Sequence, residues 1–265
     1  MYTRTLTLTL TRLMKTLVYN YCNKQRCPTL IFKLYSNRLG HCRLDAELDT
    51  MIELLNCDCM EYMATVPDKY FDLACVDPPY GINASKGTWG SPNKGKVKNY
   101  GKKDWDKQTP EQDYFLELRR VSKNQIVWGA NHFISRLPID SSCWIVWDKE
   151  NGDSNFADCE LAWSSFKSAV RKFKFRWNGM LQENMKNKEE RIHPTQKPVA
   201  LYEWLLTNYA KKGQRILDTH LGSGSSAIAA HYFGVDFVGC ELDKDYFEAA
   251  KARFDMATKQ LAMSI

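Results

Sequence analysis

The fold of this chain is decided by Arg215-Ile216-Leu217-Asp218-Thr219-His220-Leu221-Gly222-Ser223-Gly224-Ser225-Ser226. Its apolar start predicts a short strand, its glycines predict a turn, and the alanine-rich residues 227–233 that follow predict a helix. The glycines let the backbone approach a ligand closely, and Ser225 or Ser226 is placed to cap the helix. A strand, a glycine turn and a helix in this order form the context of a nucleotide-binding loop in an α/β fold.

This glycine turn differs from two well-known phosphate-binding loops. It lacks both the Gly-Lys-Ser/Thr of a Walker loop and the full Gly-x-Gly-x-x-Gly of a dinucleotide site, so a tight turn that binds nothing stays open. The next segment, 236–241, predicts a second strand that ends in Glu241, about 19 residues beyond Gly222. An acid at this place accepts hydrogen bonds from ribose hydroxyls, and Asp243 is the less favoured candidate. Residues 215–259 therefore predict a β-α-β-α unit around one adenosine-sized site.

A second motif, Asp77-Pro78-Pro79-Tyr80, follows the apolar run 71–76, which predicts a buried strand. The two prolines end that strand because proline fixes φ and donates no backbone hydrogen bond. The resulting turn lies at the carboxyl end of a strand, where α/β sheets bind their ligands. It offers a carboxylate, carbonyl oxygens and an aromatic face, which together suit a planar base that carries an exocyclic amine.

Together these motifs resemble the S-adenosylmethionine-dependent amino-methyltransferases of DNA. The Asp-Pro-Pro-Tyr motif precedes the glycine turn, and this order resembles the β class of adenine N6-methyltransferases, a circularly permuted form of the methyltransferase fold, of phage or restriction-modification type. Residues 193–198, His-Pro-Thr-Gln-Lys-Pro, are similar to the family segment that helps to close the methionine end of the site. The resemblance covers about residues 51–259. It departs from the family at Thr219-His220, where the family more often has Pro-Phe.

The resemblance implies an α/β, Rossmann-like fold with a mixed, mostly parallel sheet, a permuted motif order and a small inserted target-recognition segment. It implies transfer of a methyl group to N6 of a flipped adenine in double-stranded DNA, with no metal. The residues implied in catalysis are Asp77, Pro78, Pro79 and Tyr80. The residues implied in binding S-adenosylmethionine are Asp58, Lys197, Asp218, His220, Gly222, Ser223, Gly224, Ser225, Glu241 and Asp243.

Other activities stay open at this point. N4-cytosine methylation is the same chemistry on a smaller ring, but that branch usually has serine in place of Asp77. Methylation of RNA or of protein glutamine uses motifs of the Asn-Pro-Pro-Tyr kind. An inactive DNA-binding module of the same fold would show a broken glycine turn or lack Asp77, and the sequence shows neither.

Composition bounds the class of protein. The chain has 265 residues, of which 44% are hydrophobic, which suits one sizeable α/β domain, and its mean hydropathy is −0.48 with no apolar run near a membrane span. Nine cysteines occur without any Cys-x-x-Cys pair, which argues against zinc and fits thiols in a reducing cytoplasm. The net charge is +6, but residues 1–44 contain eight Lys or Arg and no acid, so the remainder carries −2.

Three parts of the chain are distinguished. Residues 1–50 form a basic extension, which we interpret as an upstream stretch with Met51 as the working start, as a DNA-contacting arm, or as a transit-like peptide. Residues 51–259 form the predicted methyltransferase domain, and residues 260–265 form a tail. A homodimer and a cognate restriction nuclease are possible partners that the sequence does not decide.

Two segments of the domain are predicted to meet DNA. The polar, lysine-rich residues 81–108 predict a functional loop near the base pocket, with candidate phosphate contacts at Lys94, Lys96, Lys98, Lys102 and Lys103. Residues 148–192 are predicted to recognise the target and carry Trp163, Trp177, Asn178, Asn184 and Asn187. Within them, 171–177 alternates cations with aromatic residues, a pattern that suits phosphate contact and base stacking. An ordinary strand with a solvated, charged face stays equally open for each of these residues.

Overall fold

The structure is a computed structural model that describes residues 30–36, 42–48, 50–84, 103–137, 140–152, 157–178 and 181–262. The chain divides into two compact units, Met1–Thr50 and Met51–Ile265. In the first unit, strands β1 (Leu30–Ser36) and β2 (Cys42–Leu48) pair in antiparallel fashion. The lysines at 94, 96, 98 and 102 lie outside the described residues, and so do residues 1–29.

The second unit alternates strands and helices along the chain. In order, its elements are β3 (Ile52–Leu55), α1 (Cys59–Thr65), β4 (Phe71–Val76), α2 (Gln112–Val121), β5 (Ser122–Trp128), β6 (Ile145–Asp148), β7 (Cys159–Ser164), β8 (Arg171–Lys174), β9 (Trp177–Asn178), β10 (Leu181–Gln182), α3 (Val199–Tyr209), β11 (Arg215–Asp218), α4 (Ser225–Phe233), β12 (Asp236–Cys240) and α5 (Lys244–Ala262). Two short 3₁₀ turns, Ala130–His132 and Ile134–Arg136, follow β5.

Eight of these strands form one sheet in the order β3-β12-β11-β4-β5-β7-β6-β8. Every neighbouring pair is parallel except the two that involve β7, which runs antiparallel to both β5 and β6. The predicted mixed, mostly parallel sheet is therefore confirmed. Because the carboxyl ends of parallel strands meet at one edge, the residues after β4, β11 and β12 are brought together there.

The strands are apolar because helices cover both faces of the sheet. On one face, Leu73 and Cys75 of β4 belong to a buried cluster with Leu201 and Leu205 of α3. On the other face, Ala74 and Val76 belong to a cluster with α1 and α2. Successive side chains of a strand point to opposite faces, so β4 supplies both clusters and is fixed in register from both sides.

Local signals fix the ends of the helices. The sequence of residues 111–120 predicts a helix, and the structure confirms it as α2, with Asp113 in its first turn and Arg119 and Arg120 in its last turn. These charges oppose the helix dipole and stabilise both ends. Helix α4 ends at Gly234 with φ 84, a left-handed conformation that glycine adopts without strain.

The segment predicted to recognise DNA contributes two strands, β7 and β8, to the sheet. Strand β7 lies between β5 and β6, and Trp163 within it is buried in the core. In the run 171–177, Phe173 and Phe175 pack against the core next to Trp204, and Trp177 is buried. The run therefore behaves as the ordinary strand with a solvated, charged face that the sequence left open, because alternation along the strand turns the aromatic rings inward and the cations outward.

Among the described residues, no helix is long and apolar enough to cross a membrane.

Candidate functional site

The glycine turn is held by hydrogen bonds to its own backbone and to the next strand. Asp218, at the end of β11, accepts from the backbone N–H of His220 at 3.1 Å. Gly224 has φ 73 and precedes α4, and a Cβ on it would lie 3.3 Å from the carbonyl oxygen of Ala250. Glycine is needed here for its conformation and for close packing of α5.

The two serines after the turn do not cap α4, so that prediction is wrong. The residue before the helix is Gly224, and both serines lie within the first turn. Ser225 Oγ donates to the carbonyl oxygen of Lys197 at 2.8 Å, and Ser226 Oγ donates to Asp218 Oδ2 at 2.6 Å. The serines therefore connect the turn to the segment before α3 and to the end of β11.

Glu241 joins the glycine turn to the end of β12. Its Oε2 accepts from the backbone N–H of Gly222 at 2.8 Å, and its Oε1 accepts from the backbone N–H of Asp243 at 3.0 Å. Burial raises the pKa of the Glu241 carboxyl. Each carboxylate oxygen has two lone pairs, so the group retains acceptor capacity toward a ligand.

A cavity of about 850 Å³ opens beside the turn. Of the fourteen residues that the sequence assigns to the site, those that line it are Asp58, Asp77, Pro79, Lys197, His220, Gly222, Ser223, Ser225, Glu241 and Asp243. The other four are not among the lining residues: Pro78, Tyr80, Asp218 and Gly224. Asp218 is 1% exposed, and burial raises its pKa to about 7. The structure thus brings both motifs to one cavity, although 141 positions separate Asp77 from Asp218.

The lining of the cavity is acidic. Seven carboxylates take part in it: Asp58, Asp77, Asp104, Glu111, Asp113, Glu241 and Asp243. Of the described lining residues, Lys197 is the one Lys or Arg, and burial lowers the pKa of His193 to about 3 and that of His220 to about 4, so both imidazoles are neutral. A cleft lined by one sign of charge attracts the opposite charge. The cavity therefore suits a cationic ligand and disfavours a polyphosphate.

Asp58 precedes α1 and serves as its N-cap. Its Oδ1 accepts from the backbone N–H of Met60 at 2.7 Å, and its side chain also lines the cavity. The capping role and the ligand-facing position are compatible, since the second carboxylate oxygen stays available.

Asp77 and Tyr80 are hydrogen-bonded to each other at the end of β4. The Tyr80 hydroxyl donates to Asp77 Oδ1 at 2.8 Å, and Glu160 Oε2 lies 3.3 Å from the same hydroxyl. Lys197 Nζ lies 2.5 Å from Asp77 Oδ1, 3.0 Å from Glu160 Oε2 and 3.1 Å from the Tyr80 hydroxyl. The ammonium of Lys197 therefore contacts the carboxylate of the Asp-Pro-Pro-Tyr motif.

The backbone after Pro79 is held by a buried acid that sequence reasoning missed. Asp106 is 1% exposed, and its Oδ1 accepts from the N–H groups of Tyr80 and Gly81 at 2.8 and 2.9 Å. Its Oδ2 accepts from the N–H of Ala84 at 2.7 Å. Three backbone donors that no sheet satisfies thus converge on one carboxylate. An acid in a polar loop carries no local sequence signal for this role.

The ring of Tyr80 contacts two residues that follow β5. The His132 ring stacks on it with centroids 4.9 Å apart and planes 15° apart. Gly129 has φ 69, and a Cβ on it would lie 2.0 Å from Cε1 of Tyr80. Any side chain at 129 would therefore displace the tyrosine ring.

The described end of the predicted loop 81–108 spans both motifs. Lys103 Nζ pairs with Asp243 at 2.5 Å and with Asp245 at 2.7 Å, next to the start of α5. The Trp105 ring lies 4.9 Å from that of His193, and Asp106 holds Tyr80. Among the described residues, no group of three or more His, Cys, Asp or Glu side chains is arranged to hold a metal ion.

Comparison with known proteins agrees with this site. Residues 141–252 match a family model described as DNA methylase of the N6/N4 type. The chain is 26% identical over 249 residues to the type II methyltransferase M.HinfI of Haemophilus influenzae, covering 77% of this chain and 68% of that protein. It is 23% identical over 244 residues to the type II methyltransferase M2.MboI of Moraxella bovis, covering 77% of this chain and 88% of that protein.

The chain also shares its fold with a solved structure, that of the PvuII DNA methyltransferase, which is described as cytosine-N4-specific. The two are 12% identical with a TM-score of 0.53, and the match covers 79% of this chain and 92% of the other. At this identity the likeness concerns the fold alone, and it agrees with the Rossmann-like methyltransferase fold expected from the sequence.

Proposed function

We propose that this protein transfers a methyl group from S-adenosylmethionine to the N6 amine of a flipped adenine in double-stranded DNA. The observation that carries this proposal is that Asp77, at the end of β4, and the glycine turn, at the end of β11, line one cavity. A base bound at the first motif and a methyl donor bound at the second would meet at the same edge of the sheet.

The cavity fits the proposed cofactor by charge and by donor set. S-adenosylmethionine supplies, when bound, an electrophilic methyl group on a positively charged sulfur. Seven carboxylates favour that cation, and the absence of lysine and arginine other than Lys197 from the described lining separates the site from those of phosphate-bearing cofactors. Glu241 is placed to accept from the ribose hydroxyls, and the glycine turn leaves room for the cofactor backbone.

The residues of the Asp-Pro-Pro-Tyr motif position and polarise the amine. Tyr80 stacks on the flipped base, and the Asp77 carboxylate and the Pro78 carbonyl accept hydrogen bonds from its two N–H groups. These bonds localise the nitrogen lone pair that is otherwise delocalised into the ring. Transfer would form a bond from this nitrogen to the methyl carbon as the carbon–sulfur bond breaks with its electron pair on sulfur, and one N–H proton would be released to solvent to give the N6-methylated base.

Adenine is favoured over cytosine by Asp77, because the N4-cytosine branch that the chain resembles usually carries serine at this position. A cognate restriction nuclease is a proposal supported by the names of the two type II relatives. A homodimer and a cytoplasmic location complete the proposal, the latter because DNA is the substrate.

Target recognition is proposed for the exposed side chains of 148–192 rather than for its buried aromatic residues. The exposed asparagines Asn184 and Asn187 and the cations of β8 remain available to solvent. Amide groups read adenine edges in the major groove, and cations contact phosphates.

The proposal is tested by incubating the protein with methyl-labelled S-adenosylmethionine and unmethylated double-stranded DNA, followed by digestion to nucleosides. Labelled N6-methyladenine is expected, and Asp77→Ala is expected to lower the rate by about 10³-fold or more because an acceptor that acts in the transition state is lost. Calorimetry with S-adenosylmethionine is expected to give an unchanged Kd for the variant. Labelled N4-methylcytosine would overturn the choice of base, and binding of the cofactor without transfer to DNA would overturn the proposed reaction.

A further inference from the structure

Four charged side chains meet beneath the Asp-Pro-Pro-Tyr motif. Asp77 follows β4, Glu160 belongs to β7, Lys149 follows β6, and Lys197 precedes α3. Lys197 pairs with both carboxylates, and Lys149 pairs with Glu160. This charge cluster contains two ammonium groups and two carboxylates, so it is balanced, and each charge has a partner at hydrogen-bonding distance.

We propose that Lys197 and Glu160 are positioning residues of the methyl-transfer reaction: Lys197 fixes Oδ1 of Asp77 so that Oδ2 is presented to the amine of the base, and Glu160 fixes Lys197. This inference rests on the proposed function. It also gives Lys197 a different role from the one that the family resemblance implies, which is to bind the cofactor.

The first argument is the hydrogen-bonding capacity of Lys197. An ammonium has three N–H donors, and the Lys197 side chain is 3% exposed with three acceptors around it: Asp77 Oδ1, Glu160 Oε2 and the Tyr80 hydroxyl. All three donors are therefore used within the protein. None is left for a carboxylate or hydroxyl of the cofactor unless the cluster is broken.

The second argument is that the two carboxylate oxygens of Asp77 have different hydrogen-bond partners. Oδ1 accepts from the Tyr80 hydroxyl and from Lys197, while no hydrogen bond or ion pair from the residues that the structure describes reaches Oδ2. An sp² oxygen with two strong donors is saturated. The geometry thus selects Oδ2 as the acceptor for the substrate amine and fixes the direction from which the amine approaches.

The third argument is electrostatic. Burial raises the pKa of Asp77, Lys197 opposes that rise, and the negative charge of Glu160 adds to it. The pKa of Glu160 itself is held at about 2, against the effect of burial, by Lys197 and Lys149. Other titratable groups that interact with the Asp77 carboxyl are Tyr80, Cys75, Tyr114, Tyr202 and Asp218. Without Lys197, the carboxylates of Asp77 and Glu160 would have Lys149 as their one cation in the cluster. The two carboxyl groups would then share a proton at neutral pH.

The test compares Lys197→Met and Lys197→Met/Glu160→Gln with the unaltered protein. The rate of methyl transfer at saturating DNA and cofactor is measured from pH 5 to 9, and the Kd of S-adenosylmethionine is measured by calorimetry, which also shows that each variant is folded. Because ionised Asp77 accepts a hydrogen bond from the amine, activity is lost as pH falls through the pKa of the Asp77–Glu160 carboxyl pair. Lys197→Met is expected to lower kcat at pH 7 by about 100-fold and to move the acidic limb up by about one unit or more, with Kd changed less than about threefold.

The double variant distinguishes a positioning role of Lys197 from a purely structural one. It removes the like charge together with the lysine, so its acidic limb is expected to return toward that of the unaltered protein. A limb that stays at the same pH in Lys197→Met, or a Kd raised more than about tenfold with an unchanged limb, would overturn the inference and return Lys197 to the cofactor site.

Glu160→Gln alone keeps the proposal testable if Lys197→Met does not fold. It removes the charge that raises the pKa of Asp77 but keeps an acceptor for Lys197, so its acidic limb is expected at lower pH than that of the unaltered protein. An unmoved limb would overturn the inference. Failure of the proposed function is a separate outcome, because then the unaltered protein itself would bind the cofactor and transfer no methyl group to DNA.

Discussion

The two ends of the cavity are built on different physical principles. At the end formed by the glycine turn and Glu241, backbone N–H groups, serine hydroxyls and neutral imidazoles surround the ligand space. At the end formed by Asp77 and Tyr80, a largely buried cluster of two ammonium groups and two carboxylates includes the acid of the motif. The first arrangement is local, and we expect it to tolerate substitution, since most of its hydrogen-bond partners lie within 30 positions of each other along the chain. The second depends on four separate elements, and removing one partner leaves an unpaired buried charge.

The comparison predicts that substitutions at the Tyr80 end change the rate of transfer, whereas substitutions at the glycine-turn end change cofactor affinity. Among residues outside the Asp-Pro-Pro-Tyr motif and its charge cluster, the largest effect is expected at Gly129. In Gly129→Ala the new Cβ would collide with the Tyr80 ring, so the ring is displaced and kcat is expected to fall by about 100-fold with the cofactor Kd unchanged. Transfer rates and calorimetry measure both quantities.

The chain offers a matched control for this variant. Gly152 also has positive φ, at 58°, but no atom of the described residues lies within 4 Å of a Cβ placed there. Gly152→Ala carries the same kind of backbone strain without the collision, at about 1 kcal/mol of stability, and is expected to keep its rate. Equal losses of activity in the two variants would show that strain, not the position of Tyr80, controls the rate.

The next effect is expected at Glu241, on the other side of the comparison. Glu241→Ala removes the acceptor for Gly222 and for the proposed ribose contact, so the cofactor Kd is expected to rise by about 10- to 100-fold. At saturating cofactor, kcat is expected to stay within about threefold of that of the unaltered protein. A large fall in kcat with an unchanged Kd would contradict the division between the two ends.

A smaller change in rate is expected at Asp106, which holds the backbone of Tyr80. Asp106→Ala leaves three backbone N–H groups without their acceptor, which is expected to lower the free energy of unfolding by about 3 kcal/mol and kcat by about tenfold. Asp106→Asn retains one oxygen and should lose less. Denaturant unfolding and transfer rates, with the exposed Asp140→Ala as control, measure these changes, and equal behaviour of Asp106→Ala and Asp140→Ala would contradict them.

The smallest effect is expected at His220, where the chain departs from the family pattern. Burial lowers the pKa of this imidazole from about 6.5 to about 4, so the unfolded chain binds a proton that the folded chain does not, and stability is lost as pH falls from 6.5 toward 4. His220→Phe is expected to flatten this part of the pH dependence of unfolding by about 2 kcal/mol. His231→Phe, on α4 and outside the cavity lining, is the control, and an equal flattening there would contradict the assignment.

Local sequence was sufficient wherever a feature depends on neighbours along the chain. The strands at 71–76 and 215–218, the helix α2 and the strand-turn-helix at Gly222 follow from hydrophobic period, proline and glycine, because these act through the backbone within a few residues. The prediction of serine caps is wrong because Gly224 precedes α4 in a left-handed conformation that only glycine adopts easily, which places both serines within the first turn. The sequence of the aromatic run at 171–177 did not decide its role, because alternation along a strand leaves open which face is covered.

The sequence by itself determined the class of fold, the two motifs that reach one cavity, and ten of the residues that line it. Only the tertiary structure decided that Glu160 stands beside Asp77: β7 pairs with β5 so that Trp128 lies opposite Ala162, and this register places the carboxylate next to Lys197. It likewise decided the roles of Asp106 and Gly129. Such partners are set by the pairing of elements far apart in the chain, where the free energy depends on burial and charge balance in three dimensions and leaves no pattern in the local sequence.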